Sequence, residues 1–575
     1  MKQAISEALA KALKSLGIAD ARIKLDYPEN PDHGDFSTNA AMVHAKELKL
    51  PPKALAEKIV SEFRKAMPDA VESVDIAGPG FINFKVKDAV FSDEIISIVK
   101  GGAEYGWSQA DKGRKVMVEY TDPNPFKVFH IGHLMSNAIG ESFSRLVESS
   151  GADVIRTCYQ GDVGLHVAKT IWAIQKRKDQ RSKSKDEKGS SIVEKVKWLG
   201  EMYVYGSQYD DDKAVQEEIK AVNKKIFEKS DPEINAIYEE GRKVSLEYFD
   251  LIYKKLGTSF KQFYFESEVA DEGIEIVKEF LKQGIFSASE GAIVFKGEDH
   301  GLHTRVFITS QGLPTYETKE LGLNTRKFEM YPALSESIIV TANEQSDYFK
   351  VLLKAFELID PNIAKKTRHI SHGIMRFASG KMSSRKGNII SAEELLEDIK
   401  KLVMDKMSGR ELDADEAAEI ADIVAVGAIK YTILRQAVGG DIIFDTAASI
   451  SFEGDSGPYL QYSAVRAASI LEKAKQEGIS AAKNDSALPE KASLLEKLIT
   501  RFPDLIARAR SEYAPQHIAN YLISLAGAFN SYYASNQIVD KNDKQSPYRV
   551  ALTQAFLTTM TNGLWVLGIK VPKKM

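Results

Sequence analysis

The feature that most restricts the fold of this chain begins at Val116. From there short apolar runs alternate with stretches of helical spacing: "VMVEY" (Val116–Tyr120), "DVIRTCY" (Asp153–Tyr159), "RVFITS" (Arg305–Ser310), "SIIVTA" (Ser337–Ala342) and "RHISHGIM" (Arg368–Met375). Such runs, separated by helical patterns, predict parallel strands joined by helical crossovers, an α/β sheet. A polar helical stretch from about Lys176 to Tyr253 interrupts the alternation and reads as an insertion. From about Asp415 onward the pattern is helical only, with no further strand. Ahead of the sheet, residues 1–88 read as a small α+β unit. In it Ile5, Leu9, Leu13 and Leu16 mark an amphipathic helix, "LPPKALAEKIVSEFRKA" a second, and "GFINFKV" a strand. The stretch Lys100–Lys115, with four glycines and mixed charge, reads as a linker.

Composition narrows the class. The chain has 575 residues, enough for several domains, and 77 Lys+Arg against 81 Asp+Glu give a net charge of −4. That balance argues against a nonspecific polyanion binder but permits a local basic surface. A single cysteine, Cys158, excludes an intrachain disulfide and a thiolate zinc cage, and fits a reducing cytoplasm. The N-terminal stretch is an amphipathic helix and not a signal peptide, and no apolar run is long enough to span a membrane. The run Lys176–Lys188 is mixed in sign and reads as a solvated face.

"TDPNPFKVFHIGHLMS" (Thr121–Ser136) follows the first strand and puts His130 and His133 three residues apart with Gly132 between. Helical zinc sites use histidines four residues apart with a carboxylate nearby; here the spacing is three and no acidic residue falls inside the pair. A phosphate site explains more. Leu134, Ala138, Phe143, Leu146 and Val147 share one helical face, so a helix starts near Gly132. A helix N-terminus after a strand offers free N–H groups and a positive dipole end, and two imidazoles there can donate to phosphoryl oxygens. The plainer reading makes both histidines polar caps. A second segment, "ASGKMSSRKGNII" (Ala378–Ile390), sets Lys381, Arg385 and Lys386 around two serines, with Gly380 and Gly387 as candidate hinges. By itself it is a basic surface loop. With the histidines it becomes a candidate source of positive charge for phosphoryl chemistry.

These two segments resemble the HIGH and KMSKS motifs of class I aminoacyl-tRNA synthetases. "HIGH" (His130–His133) matches letter for letter, while "KMSSR" (Lys381–Arg385) has Ser384 where the motif has its second lysine. Arg385, Lys386 or Lys127 then inherits that lysine's work. "VEYTDPNPFKVFHIGH", "YQGDVG", "KMSSRKGN", "GPYLQYSAVRA", the N-terminal "GDFSTNAA" and the C-terminal "GLWVLGIKVPKKM" resemble arginyl-tRNA synthetases, over nearly the whole chain outside residues 176–250. The resemblance implies a Rossmann-type parallel-sheet core over 110–440 with the helical insertion around 176–253. It also implies an N-terminal tRNA-corner domain (1–88) and an all-helical anticodon-binding domain (455–575).

It further implies a ligase for L-arginine, ATP with Mg²⁺, and tRNA(Arg), expected to be a cytoplasmic monomer with no metal held by the protein. His130, His133, Lys127, Lys381 and Lys386 would be catalytic. Phe129, Gly132, Met382, Ser383, Ser384 and Arg385 would line the ATP site. Glu119, Asn124, His130, Tyr316, Glu320 and Gln345 would hold arginine. A guanidinium is planar and always charged, so its pocket needs carboxylates and a polar aromatic. Tyr316 and Glu320 lie one turn apart on a likely helical face, although by position alone Glu320 reads as a surface residue. Asp162 reads equally as a ligand at the sheet's edge or as a cap of the next helix. Tyr532 and Tyr533 are candidates for stacking on anticodon bases, against the commoner role of packed tyrosines. Other class I specificities fit less well: one cysteine cannot build the zinc site of a cysteine enzyme, and a glutamate pocket calls for arginine. An inactive RNA-binding paralogue conflicts with the intact histidines and lysines. A small-molecule nucleotidyltransferase leaves the helical tail without a purpose.

Overall fold

The computed structural model of the protein describes residues 1–18, 23–28, 30, 33–177, 191–378, 391–409, 412–482 and 487–575. They form two compact units, each assembled from three stretches of chain: Met1–Tyr105, Ala467–Phe502 and Gly527–Thr559 in one, Gly106–Arg466, Pro503–Ala526 and Met560–Met575 in the other.

In the smaller unit β1 (Phe36–Thr38), β2 (Val71–Ala77) and β3 (Phe81–Val86) form an antiparallel sheet in the order β1-β3-β2. The helices Lys2–Ser15 and Pro52–Arg64 bury Ile5, Leu9, Leu13, Ile59 and Phe63 in one core with Phe84 of β3. Later chain segments complete this unit. Glu496 caps its own short helix through Ser493 and accepts from Ser92 Oγ (3.2 Å), and Lys497 pairs with the buried Asp35 (2.8 Å).

The larger unit holds β4 (Lys115–Glu119), β5 (Asp153–Gln160), β6 (Gln262–Phe265), β10 (Leu334–Ala342) and β11 (Thr367–His372) in one sheet of order β11-β10-β4-β5-β6, with every pairing parallel. Val116, Met117 and Val118 of the central strand are all fully buried. Helices cover both faces, which is why these strands read as continuous apolar runs. The chain runs β4-β5-β6 toward one edge and β10-β11 toward the other. The switch point therefore lies between β4 and β10, where ligands of open sheets bind. Three helices of the insertion, Ile192–Ser207, Lys213–Glu228 and Pro232–Leu256, separate β5 from β6. Ser191, Asp212 and Asp231 cap their N-termini through side-chain oxygens.

Two expectations need correction, and a third feature was not foreseen. "RVFITS" supplies β9 (Arg305–Ile308), which joins β7 (Ser287–Ser289) and β8 (Ala292–Phe295) in a separate antiparallel sheet and not the parallel one. Glu290 and Gly291, both with positive φ, close the β7–β8 hairpin that gives β9 its local partner. The chain after Asp415 is not wholly helical, because β13 (Ile442–Phe444) pairs in parallel with β12 (Met375–Phe377). Third, the sheet's edge is formed by "QFYF" of β6, which sequence periodicity did not single out.

Candidate active site

The helix Ile131–Glu148 starts where the motif placed it, with His130 as N-cap. His130 Nδ1 accepts the amide hydrogens of Gly132 (3.1 Å) and His133 (3.4 Å), and the His130 amide donates to His133 Nδ1 (3.3 Å). The pair is thus a capping box made of two imidazoles, their rings stacked at 3.6 Å. Each Nδ1 is an acceptor, so each neutral ring must carry its proton on Nε2. Burial, reinforced by the charge of Lys127, pushes His130 down to about 4 and His133 well below its ordinary value. Both rings are neutral at physiological pH, each with one N–H donor. Capping and phosphate binding are therefore compatible: one ring nitrogen does the first and leaves the other for the second.

The loop before this helix is strained. Thr121, Asp122 and Phe126 all have positive φ, and such strain collects at functional sites. Thr121 N donates to Ser136 Oγ (3.0 Å), which donates to Val340 O of β10 (3.0 Å), so the loop is pinned across the switch point. Phe126 N donates to Ser245 Oγ on the insertion helix Pro232–Leu256 (3.0 Å). Lys127 lies with its Nζ 4.5 Å from the ring centre of Tyr203, on the insertion helix Ile192–Ser207. The Phe129 side chain is fully buried, but its carbonyl accepts from Ala392 N (2.8 Å), and His130 bridges Ser391. The chain following the basic segment is therefore anchored at the histidines. Lys381, Met382, Ser383, Ser384, Arg385 and Lys386 lie outside the described residues.

Beside the histidines lies a buried acidic pocket. Glu320 is 7% exposed, not the surface residue its position suggested. The helices Glu266–Lys282 and Tyr316–Met330 approach so closely that a Cβ on Gly273 or Gly322 would strike the other backbone, which brings Glu266 and Glu320 toward β4. Glu119, at the end of β4, lies 2.9 Å from the fully buried Lys327, and Lys319 pairs with Glu266. Desolvation, then the Glu119 charge, pushes Glu320 up to about 8. Burial likewise raises Asp122 well above the carboxylate range. Tyr316 is half exposed at the start of the same helix. Asn124 packs over Gly161, where a Cβ would collide with its Oδ1. Gln345 is exposed in the turn Asn343–Gln345 that follows β10 at the sheet's carboxyl edge.

Asp162 has a different role from either expected one. It is fully buried and accepts from Ser267 N (2.9 Å), Ser267 Oγ (2.7 Å), Tyr238 Oη (3.1 Å) and Arg242 Nε (2.9 Å). Its oxygens are taken by a junction between the insertion and the helix Glu266–Lys282. Far from this site in sequence, Tyr532 is partly buried beside Arg549, and Tyr533 is 43% exposed in a groove with Ile470, Lys473 and Gln537.

Sequence reasoning passed over Asp122, Glu266, Lys319, Lys327 and Tyr203. Lys327 sits in a helix rich in charged residues, YETKELGLNTRKFEM, so nothing local set it apart from a solvated lysine. Glu266 and Tyr203 had no signal either, since their partners are remote in sequence.

The sheet, its switch point and the histidine-capped helix are those of a class I aminoacyl-tRNA synthetase, and a family model described as "tRNA synthetases class I (R), catalytic domain" matches residues 94–446. Models described as "Arginyl tRNA synthetase N terminal domain" and "DALR anticodon binding domain" match residues 1–86 and 460–575. The chain is 30% identical to the arginine–tRNA ligase of Clostridium botulinum over 96% of both proteins, and 31% identical to that of Limosilactobacillus reuteri over 100% of both. Its fold matches the solved Thermus thermophilus arginyl-tRNA synthetase with a TM-score of 0.80, at 24% identity and full coverage of both chains. The chain belongs to the arginyl-tRNA synthetase family.

Proposed function

We infer that the protein is an arginine–tRNA ligase, which activates L-arginine with ATP and transfers it to the 3′ end of tRNA. The observation that carries this reading is the buried pocket at the switch point, where among the described residues Glu119, Asp122, Glu266 and Glu320 meet the cations Lys319 and Lys327, four acids to two. Such a pocket lacks positive charge, and a guanidinium supplies it in a form that never deprotonates.

In the first step the arginine carboxylate attacks the α-phosphorus of ATP and pyrophosphate leaves. Charge grows on the phosphoryl oxygens, and the Nε2–H groups of His130 and His133 donate to them there. Lys127 stands beside this position, and Lys381 and Lys386 are expected to add charge from the basic segment. Mg²⁺ enters with the nucleotide. Glu320 and Tyr316 hold the guanidinium, and Asn124 and Gln345 hold the α-amino group. The tRNA 3′-terminal hydroxyl then takes the arginyl group as an ester, so no protein nucleophile is needed. Residues 1–88 serve the tRNA corner and residues 455–575 the anticodon arm, with Tyr533, half exposed in its groove, the better placed of the two tyrosines to stack on a base. We propose a cytoplasmic monomer; among the described residues no helix is long and apolar enough to cross a membrane.

The test is aminoacylation of total tRNA with each standard amino acid in turn. Charging with arginine alone is expected. Charging with glutamate, glutamine or cysteine would overturn the specificity, and no charging with any amino acid would overturn the activity.

A further inference from the structure

A fully buried lysine is costly unless a charge meets it, and an apolar side chain would fill the same space more cheaply. Lys327 is such a residue. Its one ionic partner is Glu119, at 2.9 Å, and its Nζ makes no well-directed hydrogen bond among the described residues. Asp122 and Glu320 also lie within reach of its charge, and the groups that face Glu320 come from every element around it: Glu119 from β4, Asp122 from the strained loop, Tyr159 from β5, Glu266 from the helix Glu266–Lys282, Lys319 and Lys327 from its own helix, and Tyr348 from the helix Ser346–Ile359. Two pairs close within this set, Lys319 with Glu266 and Lys327 with Glu119. Asp122 takes the amide hydrogen of Tyr159 (2.7 Å). Glu320 is left with a single long donor, Asn324 Nδ2 (3.3 Å). Beside the Lys327–Glu119 pair, Tyr159 Oη and Asn324 Oδ1 are buried without hydrogen-bond partners among the described residues, unmet polar atoms that a polar ligand would relieve.

Resting on the reading of this pocket as the arginine site, we infer that Lys327 is a specificity-determining residue: it pairs with Glu119, as Lys319 pairs with Glu266, and so leaves Glu320 as the carboxyl that meets the guanidinium. Without Lys327 two adjacent acids would compete for one guanidinium. Lys327 itself draws Glu320 down, but burial and the Glu119 charge outweigh it and hold Glu320 at about 8, so Glu320 carries its proton at neutral pH before arginine enters. Binding exchanges the Glu320 proton, released to solvent, for the ligand's positive charge, and no covalent bond changes. The sign follows: arginine binding weakens about tenfold per pH unit below that value and levels off above it. Citrulline, which is neutral, exchanges no proton.

The experiment is calorimetric titration of arginine into the tRNA-saturated wild-type protein, in buffers of differing ionisation enthalpy. Release of close to one proton per arginine near neutral pH is expected, falling to none well above pH 8. A pH-independent affinity with no proton released, while arginine still binds and Glu320→Gln still weakens it, would overturn the role of Lys327 and leave the arginine reading standing. An arginine affinity indifferent to Glu320→Gln would overturn the arginine reading itself. Variants give an independent arm. Glu119→Gln alone leaves Lys327 unbalanced beside the guanidinium and should raise the arginine KM steeply, with kcat less affected. Adding Lys327→Met to Glu119→Gln should return KM toward the wild-type value; a double variant as poor as Glu119→Gln would also overturn the inference. Thermal unfolding of each variant, with Lys327→Arg as the charge-retaining control, separates a misfolded pocket from an unbalanced one.

Discussion

At the scale of single residues, the His130–His133 capping box uses each Nδ1 for the helix end, and the proposed function gives each Nε2–H to the phosphate. Replacing either histidine by alanine should lower kcat for arginylation by about 10²–10³, the usual loss for one donor to a developing oxyanion. His130→Ala should in addition cost about 1 kcal/mol of stability as a lost N-cap, readable in thermal unfolding. The pH sign is fixed by burial. The folded protein keeps both rings neutral, whereas the unfolded chain takes up protons near pH 6.5. Stability contributed by the neutral pair is complete above that value and is lost as pH falls toward about 4. A turnover limb with the ordinary titration of an exposed histidine, near pH 6.5, would contradict the assignment. Glu320 permits a second prediction. Glu320→Gln keeps the shape and removes the charge, and breaking one side of a buried ion pair typically costs about 3–5 kcal/mol. The arginine KM should rise steeply while citrulline is penalised less, as competition assays would read. Which of these residues the sequence revealed depends on how local their partners are. The histidine cap and the Tyr316–Glu320 face are built within one helix. Lys327 acts on Glu119 across about two hundred residues, and a lone lysine in a helix reads as solvated.

At the scale of elements, the insertion is more than an interruption. Its helix Pro232–Leu256 holds the strained loop through Ser245, and its helix Ile192–Ser207 lays Tyr203 under Lys127. The Tyr203 ring keeps the ammonium beside the histidine pair, where a chain with Ser384 in place of a motif lysine has use for it. Tyr203→Leu should slow adenylate formation several-fold, in line with about 0.5–1 kcal/mol for a cation–π contact. Tyr203→Phe, which keeps the ring, should stay close to wild type. Single-turnover rates are the suitable readout, because product release can mask the step in steady state; equal rates for Leu and Phe would remove Tyr203 from the site. Element type was legible wherever burial enforced an apolar run, as in β4, β5 and β10. It was lost where three or four residues make a strand only through a partner: β13 exists because β12 lies beside it, and β9 was assigned to the wrong sheet because alternation says nothing about which neighbour it finds. Asp162 misled for a related reason. Its place at the end of β5 suits a ligand, but its donors come from residues about eighty to a hundred positions away.

At the scale of the whole molecule, each unit draws on three separate stretches of the chain, so neither can be completed from one contiguous segment. Residues near 490–500 finish the smaller unit through Glu496 and Lys497, although nothing in their local pattern says so. The pocket as it stands holds unmet buried donors and acceptors, two carboxyls without a paired cation and three residues of strained loop. A site in that condition gains from the binding energy of a second substrate that completes it, and tRNA is the substrate large enough to provide it. The resemblance to arginyl-tRNA synthetases implies that arginine activation depends on tRNA, and a pocket in this condition is compatible with it. In arginine-dependent exchange of pyrophosphate into ATP, the protein alone should show little or no exchange, and tRNA with an intact 3′ end should switch it on. The stimulation should fall as salt rises, because phosphate contacts hold the RNA and each releases counterions. tRNA lacking its 3′ terminus should bind with similar salt dependence but stimulate poorly, since the end of the acceptor strand is the part that reaches the pocket. Vigorous exchange in the complete absence of RNA would show the pocket already assembled, and the strain and unmet polar groups around Glu119 and Glu320 would then need another explanation.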